Sequence, residues 1–134
     1  MGEKTGRLWP NSAAGRADAL RWLFFLAGHI SPPASDLAFN RIASKVAGFP
    51  PDEAAIARGE QALPAAIKIV EGQLANHKWL LSDDFSLVDC AYGPVINVIE
   101  KAGFSLNDFP KTHSYFDAVR SRLTWERTPR LPGL

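Results

Sequence analysis

Phe85-Ser86-Leu87-Val88-Asp89-Cys90 is the stretch whose reading decides the fold. Ser86 followed three residues later by Asp89 is an N-terminal capping box. The Ser side chain accepts from the Asp89 backbone N–H, and the Asp carboxylate reaches back to the Ser86 N–H. Phe85 and Cys90 stand at the flanking positions of a hydrophobic staple. Beyond Ser86, the residues Leu87, Val88, Ala91, Tyr92, Val95, Ile96 and Ile99 recur as an apolar helix. The helix is predicted from Ser86 to about Ala102, stopped by Gly103 in a left-handed conformation. A cap of this kind contributes about 1 kcal/mol.

Working outward, the chain reads as helices throughout. Residues 1–12 form a connector punctuated by Gly2, Gly6, Pro10 and Asn11, with Leu8-Trp9 as its apolar anchor. A first helix begins near Ser12 or Ala13, with Arg16, Asp18 and Arg21 on one side and Ala17, Leu20, Phe24 and Ala27 on the other. Leu23 and Phe25 widen its apolar face, so this helix is expected to touch neighbours on more than one side. Ser31-Pro32-Pro33 is expected to end it or bend it sharply. A second helical piece, Ser35 to Val46, closes at Gly48-Phe49-Pro50-Pro51. A long helix then runs from Pro51 or Asp52 to about Asn76. Its inner stripe is Leu63, Ile67, Val70 and Leu74, and Pro64 is expected to kink it. Trp79-Leu80-Leu81 and the Ser82-Asp83-Asp84 turn lead into the capped helix. A last helix spans roughly Pro110 to Leu123, with Thr112, Phe116, Val119 and Leu123 inward. The tail 128–134 is expected to run extended. No segment alternates as a strand does, so the fold class is all-α, a bundle of about five to six helices.

Bulk properties narrow the function. The 134 residues suffice for one hydrophobic core. The net charge is +1 and the cations are scattered, which leaves no footprint for nucleic acid or an anionic membrane. With one cysteine and no apolar leader, the cytoplasm is the expected location.

The order of these features resembles the carboxy-terminal helical domain of glutathione transferases. The resemblance rests on the Leu8-Trp9-Pro10 linker, the first helix with Arg16-Ala17 and Leu20-Arg21-Trp22-Leu23, and the long helix after it. It continues through Trp79-Leu80-Leu81, Phe85 to Asp89, Phe109-Pro110 and Tyr115-Phe116, and covers about Gly2 to Arg127. Cys90 stands where the family has a larger aliphatic residue, so the staple should be looser. The resemblance implies a domain at 13–127, preceded by an interdomain linker remnant at 1–12 and followed by the tail. It also implies glutathione as co-substrate of a full-length parent, activated in a thioredoxin-like amino-terminal domain. The motifs of that domain do not stand in these residues, so no catalytic residue is assigned and no cofactor is expected on this chain alone.

By the same resemblance, Phe25, His29, Tyr92 and Ile96 are the candidates for an apolar electrophile pocket, with core packing as the alternative for Phe25 and Ile96. Arg16, Asp18 and Arg21 are candidates for a homodimer interface, with a solvated helix face as their alternative. His29, His77 and His113 lack a second ligand at metal spacing, so no metal is assigned. Cys90, near a helix start but on an apolar face, is expected to pack in the core. The implied partners are a small apolar electrophile, the thioredoxin-like domain and a second copy, with no nucleic acid and no membrane. The expected function is therefore the substrate-pocket and dimerisation domain of a glutathione transferase-like protein, inactive in isolation. The alternatives are a non-catalytic interaction module similar to those of translation factors and aminoacyl-tRNA synthetases, or a stand-alone binder of apolar ligands.

Overall fold

The computed structural model describes residues 8–127; residues 1–7 of the expected linker and the expected tail at 128–134 lie outside them. Among the described residues the chain is entirely helical. Helix α1, Ala13–Phe25, starts at Ser12, whose hydroxyl accepts from the Gly15 N–H. It leads through a π-turn, Leu26–Ile30, into α2, Ser31–Ala38, and through a second π-turn, Phe39–Ala43, into the short α3, Ser44–Ala47. Then come α4, Glu53–Leu74, α5, Leu87–Lys101, α6, Pro110–Arg120, and a last turn α7, Leu123–Glu126. Helices α1 to α3 act as one interrupted helix, so the bundle has five principal units.

Three expectations change here. Ser31-Pro32-Pro33 neither ends nor starts a separate helix. Residues 32 and 33 have no N–H to give, so the helix widens before them: Ser31 donates to Leu26, five residues back. The inner face of α1 is Ala19, Trp22 and Leu26, continued by Ile30, all buried. The face expected inside, Ala17, Leu20, Phe24 and Ala27, is exposed, with Phe24 72% accessible. Both stripes have helical spacing, and only the packing partner distinguishes them. The last helix stops at Arg120 and restarts at Leu123.

The cap at Asp52, the inner stripe of α4 and the two glycine stops stand as expected. Asp52 caps α4 by accepting from the N–H groups of Ala54 and Ala55, and Leu63, Ile67, Val70 and Leu74 are buried. Helix α4 runs unbroken through Pro64, whose side is exposed. Gly48 and Gly103 end their helices at φ 75° and 88°.

Helix α2 lies along α4, and α5 touches α1, α2 and α6. The core is therefore built around α5, whose Val88, Asp89, Tyr92, Gly93, Ile96 and Ile99 are buried.

Side chains distant in sequence tie the bundle. Asn40 is buried on the second π-turn, donates to the Asp36 carbonyl, and accepts from the Asp52 N–H at 2.8 Å. Arg41 donates to the Ala102 carbonyl at the end of α5 and pairs with Glu60. Helix α6 has no cap from its own N-cap residue Phe109. Glu71 of α4 supplies one, accepting from the Lys111 N–H at 2.8 Å, the Thr112 N–H at 2.7 Å and the Thr112 hydroxyl at 2.8 Å. A carboxylate at a helix N-terminus is stabilised by the dipole as well as by the bonds. Glu71→Ala is expected to lower the unfolding free energy by about 1–2 kcal/mol, read as a lower midpoint in urea. An unchanged midpoint would show that water replaces the cap.

Candidate functional site

The capped helix start is a hydrogen-bonded hub. The Asp89 carboxylate is fully buried and accepts four hydrogen bonds. Oδ2 takes the Ser86 N–H and the Ser86 hydroxyl, each at 2.7 Å. Oδ1 takes the Leu80 N–H at 3.0 Å and the Tyr115 hydroxyl at 3.1 Å. Both arms of the box are in place, with the carboxylate arm the firm one. The Ser86 hydroxyl also points its proton at the carboxylate. One carboxylate thus joins the Trp79-Leu80 clasp, the start of α5 and helix α6. Burial, and then the negative charge of Asp89, push the Tyr115 hydroxyl far up, so it stays protonated as a donor. All of this is structural chemistry, with no nucleophile in it.

The staple differs from the expected one. Phe85 packs edge-on against Trp79 with ring centroids 4.9 Å apart. The Arg122 guanidinium lies 3.7 Å from the centre of the Phe85 ring. Cys90, expected in the core, is exposed. Its thiol is raised by partial burial and by the adjacent Asp89, against the lowering effect of Arg122. A thiol reagent is therefore expected to reach Cys90, but with a rate that rises only above the pH at which an unperturbed thiol ionises. Fast labelling near pH 7 would show instead that Arg122 and the helix start outweigh the other effects.

The linker also ends at this helix. The Leu8 carbonyl accepts from the Leu87 N–H at 2.8 Å. Leu8 itself sits at φ 81°, a conformation unfavourable for a leucine.

The four pocket candidates divide into two pairs. Phe25 and His29, one helical turn apart, meet with ring centroids 5.0 Å apart and an interplanar angle of 34°. Phe25 is half-buried and His29 is exposed. Phe25 also leans edge-on against Trp22, at 5.8 Å. Tyr92 and Ile96 have no exposed surface in this chain and belong to the core, which corrects their expected place as pocket lining. Tyr92 lies behind the first pair: its hydroxyl donates to the Trp22 carbonyl at 2.8 Å, and its ring meets Trp22 at 6.3 Å. Burial raises its pKa, so this donor also persists at all ordinary pH values. The structure thus brings Phe25 and His29 to one exposed edge and places Tyr92 beneath as support.

The three interface candidates are all polar groups with local partners. Arg16 donates to the Asn11 carbonyl at 2.6 Å. Arg21 pairs with Asp18 at 2.6 Å, and its guanidinium stands 4.7 Å from the centre of the Trp22 ring. The exposed apolar residues Leu20 and Phe24 lie on the same helix. His77 and His113 are exposed on other segments, so the three histidines do not converge. No group of three or more His, Cys, Asp or Glu suited to a metal exists among the described residues.

The site thus comprises an exposed Phe25–His29 edge on an all-helical bundle whose buried Asp89, Tyr92 and Tyr115 are held in hydrogen bonds. The family model described as "Glutathione S-transferase, C-terminal domain" matches residues 17–122. The chain belongs to the glutathione S-transferase family and is the C-terminal helical domain of a protein of that kind. It is similar to glutathione S-transferase F9 of Arabidopsis thaliana, 30% identical over 117 residues, which cover 84% of this chain and 54% of that one. It is also similar to the disulfide-bond oxidoreductase YfcG of Escherichia coli, 26% identical over 123 residues, 91% of this chain and 55% of that one. Among solved structures, a glutathione transferase of Burkholderia graminis with two glutathione molecules bound per subunit superposes with a TM-score of 0.80. It is 27% identical, over 94% of this chain and 54% of that chain. The chain spans about half the length of the curated relatives it matches.

Proposed function

We propose that this chain is the electrophile-pocket and dimer-forming half of a glutathione transferase-like protein. In the whole protein, glutathione is the co-substrate and a small apolar electrophile takes its thiolate. The residues that would lower the thiol pKa lie outside these 134 residues. Phe25 and His29 form the pocket wall on this side, and Tyr92, through Trp22, holds α1 in place behind them. Helix α1 is the element offered to a second copy, with Arg16, Asp18 and Arg21 as the interface residues and the exposed Leu20 and Phe24 on the same helix.

The observation that carries this reading is the exposed Phe25–His29 edge on a domain of this family. A half-buried ring beside an exposed one suits an apolar ligand that has a polar end. Tyr92, Tyr115 and Cys90 all have raised pKa values, the opposite of what thiolate or hydroxyl activation requires.

The test is conjugation of glutathione to 1-chloro-2,4-dinitrobenzene by the purified chain, followed by absorbance. The expected rate equals the uncatalysed one. A rate above it that scales with protein concentration would overturn the assignment of thiol activation to residues outside this chain.

A further inference from the structure

The π-turn that carries His29 leaves two successive backbone carbonyls without a helix donor. In an α-helix a carbonyl accepts from the N–H four residues on, and in a π-turn from the one five residues on. Ser31 gives its N–H to Leu26, so Ala27 loses its α-helical donor, and its π donor would be residue 32, a proline. Gly28 would look to residues 32 and 33, and both are prolines. Ala27, Gly28 and His29 are all exposed, and a Cβ placed on Gly28 would meet nothing within 4 Å. The open acceptors therefore sit at the surface, on the same turn as the Phe25 and His29 rings. Neighbours three and four residues apart on a helix share a face, which places Gly28 and His29 beside Phe25.

We infer that this edge selects aromatic electrophiles carrying an N–H or O–H donor, with the Ala27 and Gly28 carbonyls as its acceptors. This deepens the proposed function and rests on Phe25 and His29 being the pocket wall. Water satisfies the two carbonyls in the free chain. A ring with no donor displaces that water and leaves the acceptors bare, which costs affinity, whereas a ring with a donor restores the bond. The sequence Gly28-His29-Ile30-Ser31-Pro32-Pro33 thus combines a ring for stacking with an acceptor that no residue of the helix can occupy.

The test is a matched pair of ligands, 4-nitroaniline and N,N-dimethyl-4-nitroaniline, titrated into the chain and followed by amide chemical shifts in two-dimensional NMR. The primary amine is expected to bind about fivefold or more tightly, with shifts concentrated in residues 24–31. In Pro32→Ala, where residue 32 regains one N–H for one of the two carbonyls, the preference is expected to fall measurably. Equal affinity of the two compounds, with shifts at Phe25 and His29, overturns the donor selection and leaves the pocket standing. Shifts elsewhere, or no binding of either compound, overturn the pocket reading and the selection with it. A preference that survives intact in Pro32→Ala overturns the assignment to these carbonyls. Should that variant fail to fold, the comparison on the natural chain still decides the selection.

Discussion

Replacement of Asp89 by alanine is expected to lower the unfolding free energy by about 3–5 kcal/mol, several times the value of an ordinary cap. Alanine strands the Leu80 N–H, the Ser86 N–H, the Ser86 hydroxyl and the Tyr115 hydroxyl in a site with no exposure at the carboxylate. Each buried donor left unmade costs about 1–3 kcal/mol, moderated by whatever water enters the gap. A loss of this size is a large fraction of the total stability of a domain, roughly 5–15 kcal/mol. Two milder variants give the same account a finer test. Asp89→Asn keeps one carbonyl oxygen but turns an amide N–H₂ towards two donors, so its cost should fall between that of alanine and zero. Tyr115→Phe removes a donor while the carboxylate keeps three others, so about 1 kcal/mol is expected. These ranks are read from urea midpoints. A loss of only about 1 kcal/mol for Asp89→Ala would mean that the residue is a cap and not a hub.

The second large effect concerns two glycines of the same helix with opposite expected signs. Gly59 lies where α4 meets α2. A Cβ there would stand 2.9 Å from the Pro33 carbonyl oxygen and 2.9 Å from the Leu37 Cγ. The carbonyl belongs to a helix backbone and cannot move alone, so α2 and α4 must separate. Overpacking of this kind costs about 1–3 kcal/mol, more than the gain of at most about 1 kcal/mol in helix propensity. Gly59→Ala should therefore destabilise. Gly72, two residues before the C-terminal end of α4, is exposed, and nothing lies within 4 Å of its would-be Cβ. There only the propensity gain operates, so Gly72→Ala should stabilise by about 0.5–1 kcal/mol. A thermal midpoint raised by Gly59→Ala would overturn the packing of α2 on α4 described above.

The two halves of the proposed site differ in how legible they were. The contact between Phe25 and His29 was readable because they are four residues apart on one helix, and local geometry alone brings such residues together. Tyr92 and Ile96 were misplaced because their exposure depends on α1, α2 and α6 closing over α5. An apolar helix face looks the same in sequence whether a neighbouring helix or a ligand covers it. Cys90 failed for a related reason. Its residue type suggests burial, but Phe85 found a better partner in the Trp79 ring and the Arg122 guanidinium. The acceptor edge at Ala27 and Gly28 had a sequence signal, the Pro32-Pro33 pair, but the doublet predicts lost hydrogen bonds without saying whether the helix breaks or widens.

What the sequence determined by itself is local: an all-helical chain, with starts at Ser12, Asp52 and Ser86, stops at Gly48 and Gly103, and a buried stripe on α4. These follow from bonds between residues a few positions apart, which every conformer of the segment can form. The tertiary structure decided which face of α1 is inside, how far the first helix runs, and what the Ser86–Asp89 box is for. Leu80, Tyr115 and Glu71 reach their partners across 9, 26 and about 40 residues, and no local pattern encodes such pairings. The box at Ser86 marks a helix start in the sequence; folded, its carboxylate is the point where three segments of the domain are held together, because burial makes each of its four hydrogen bonds costly to lose.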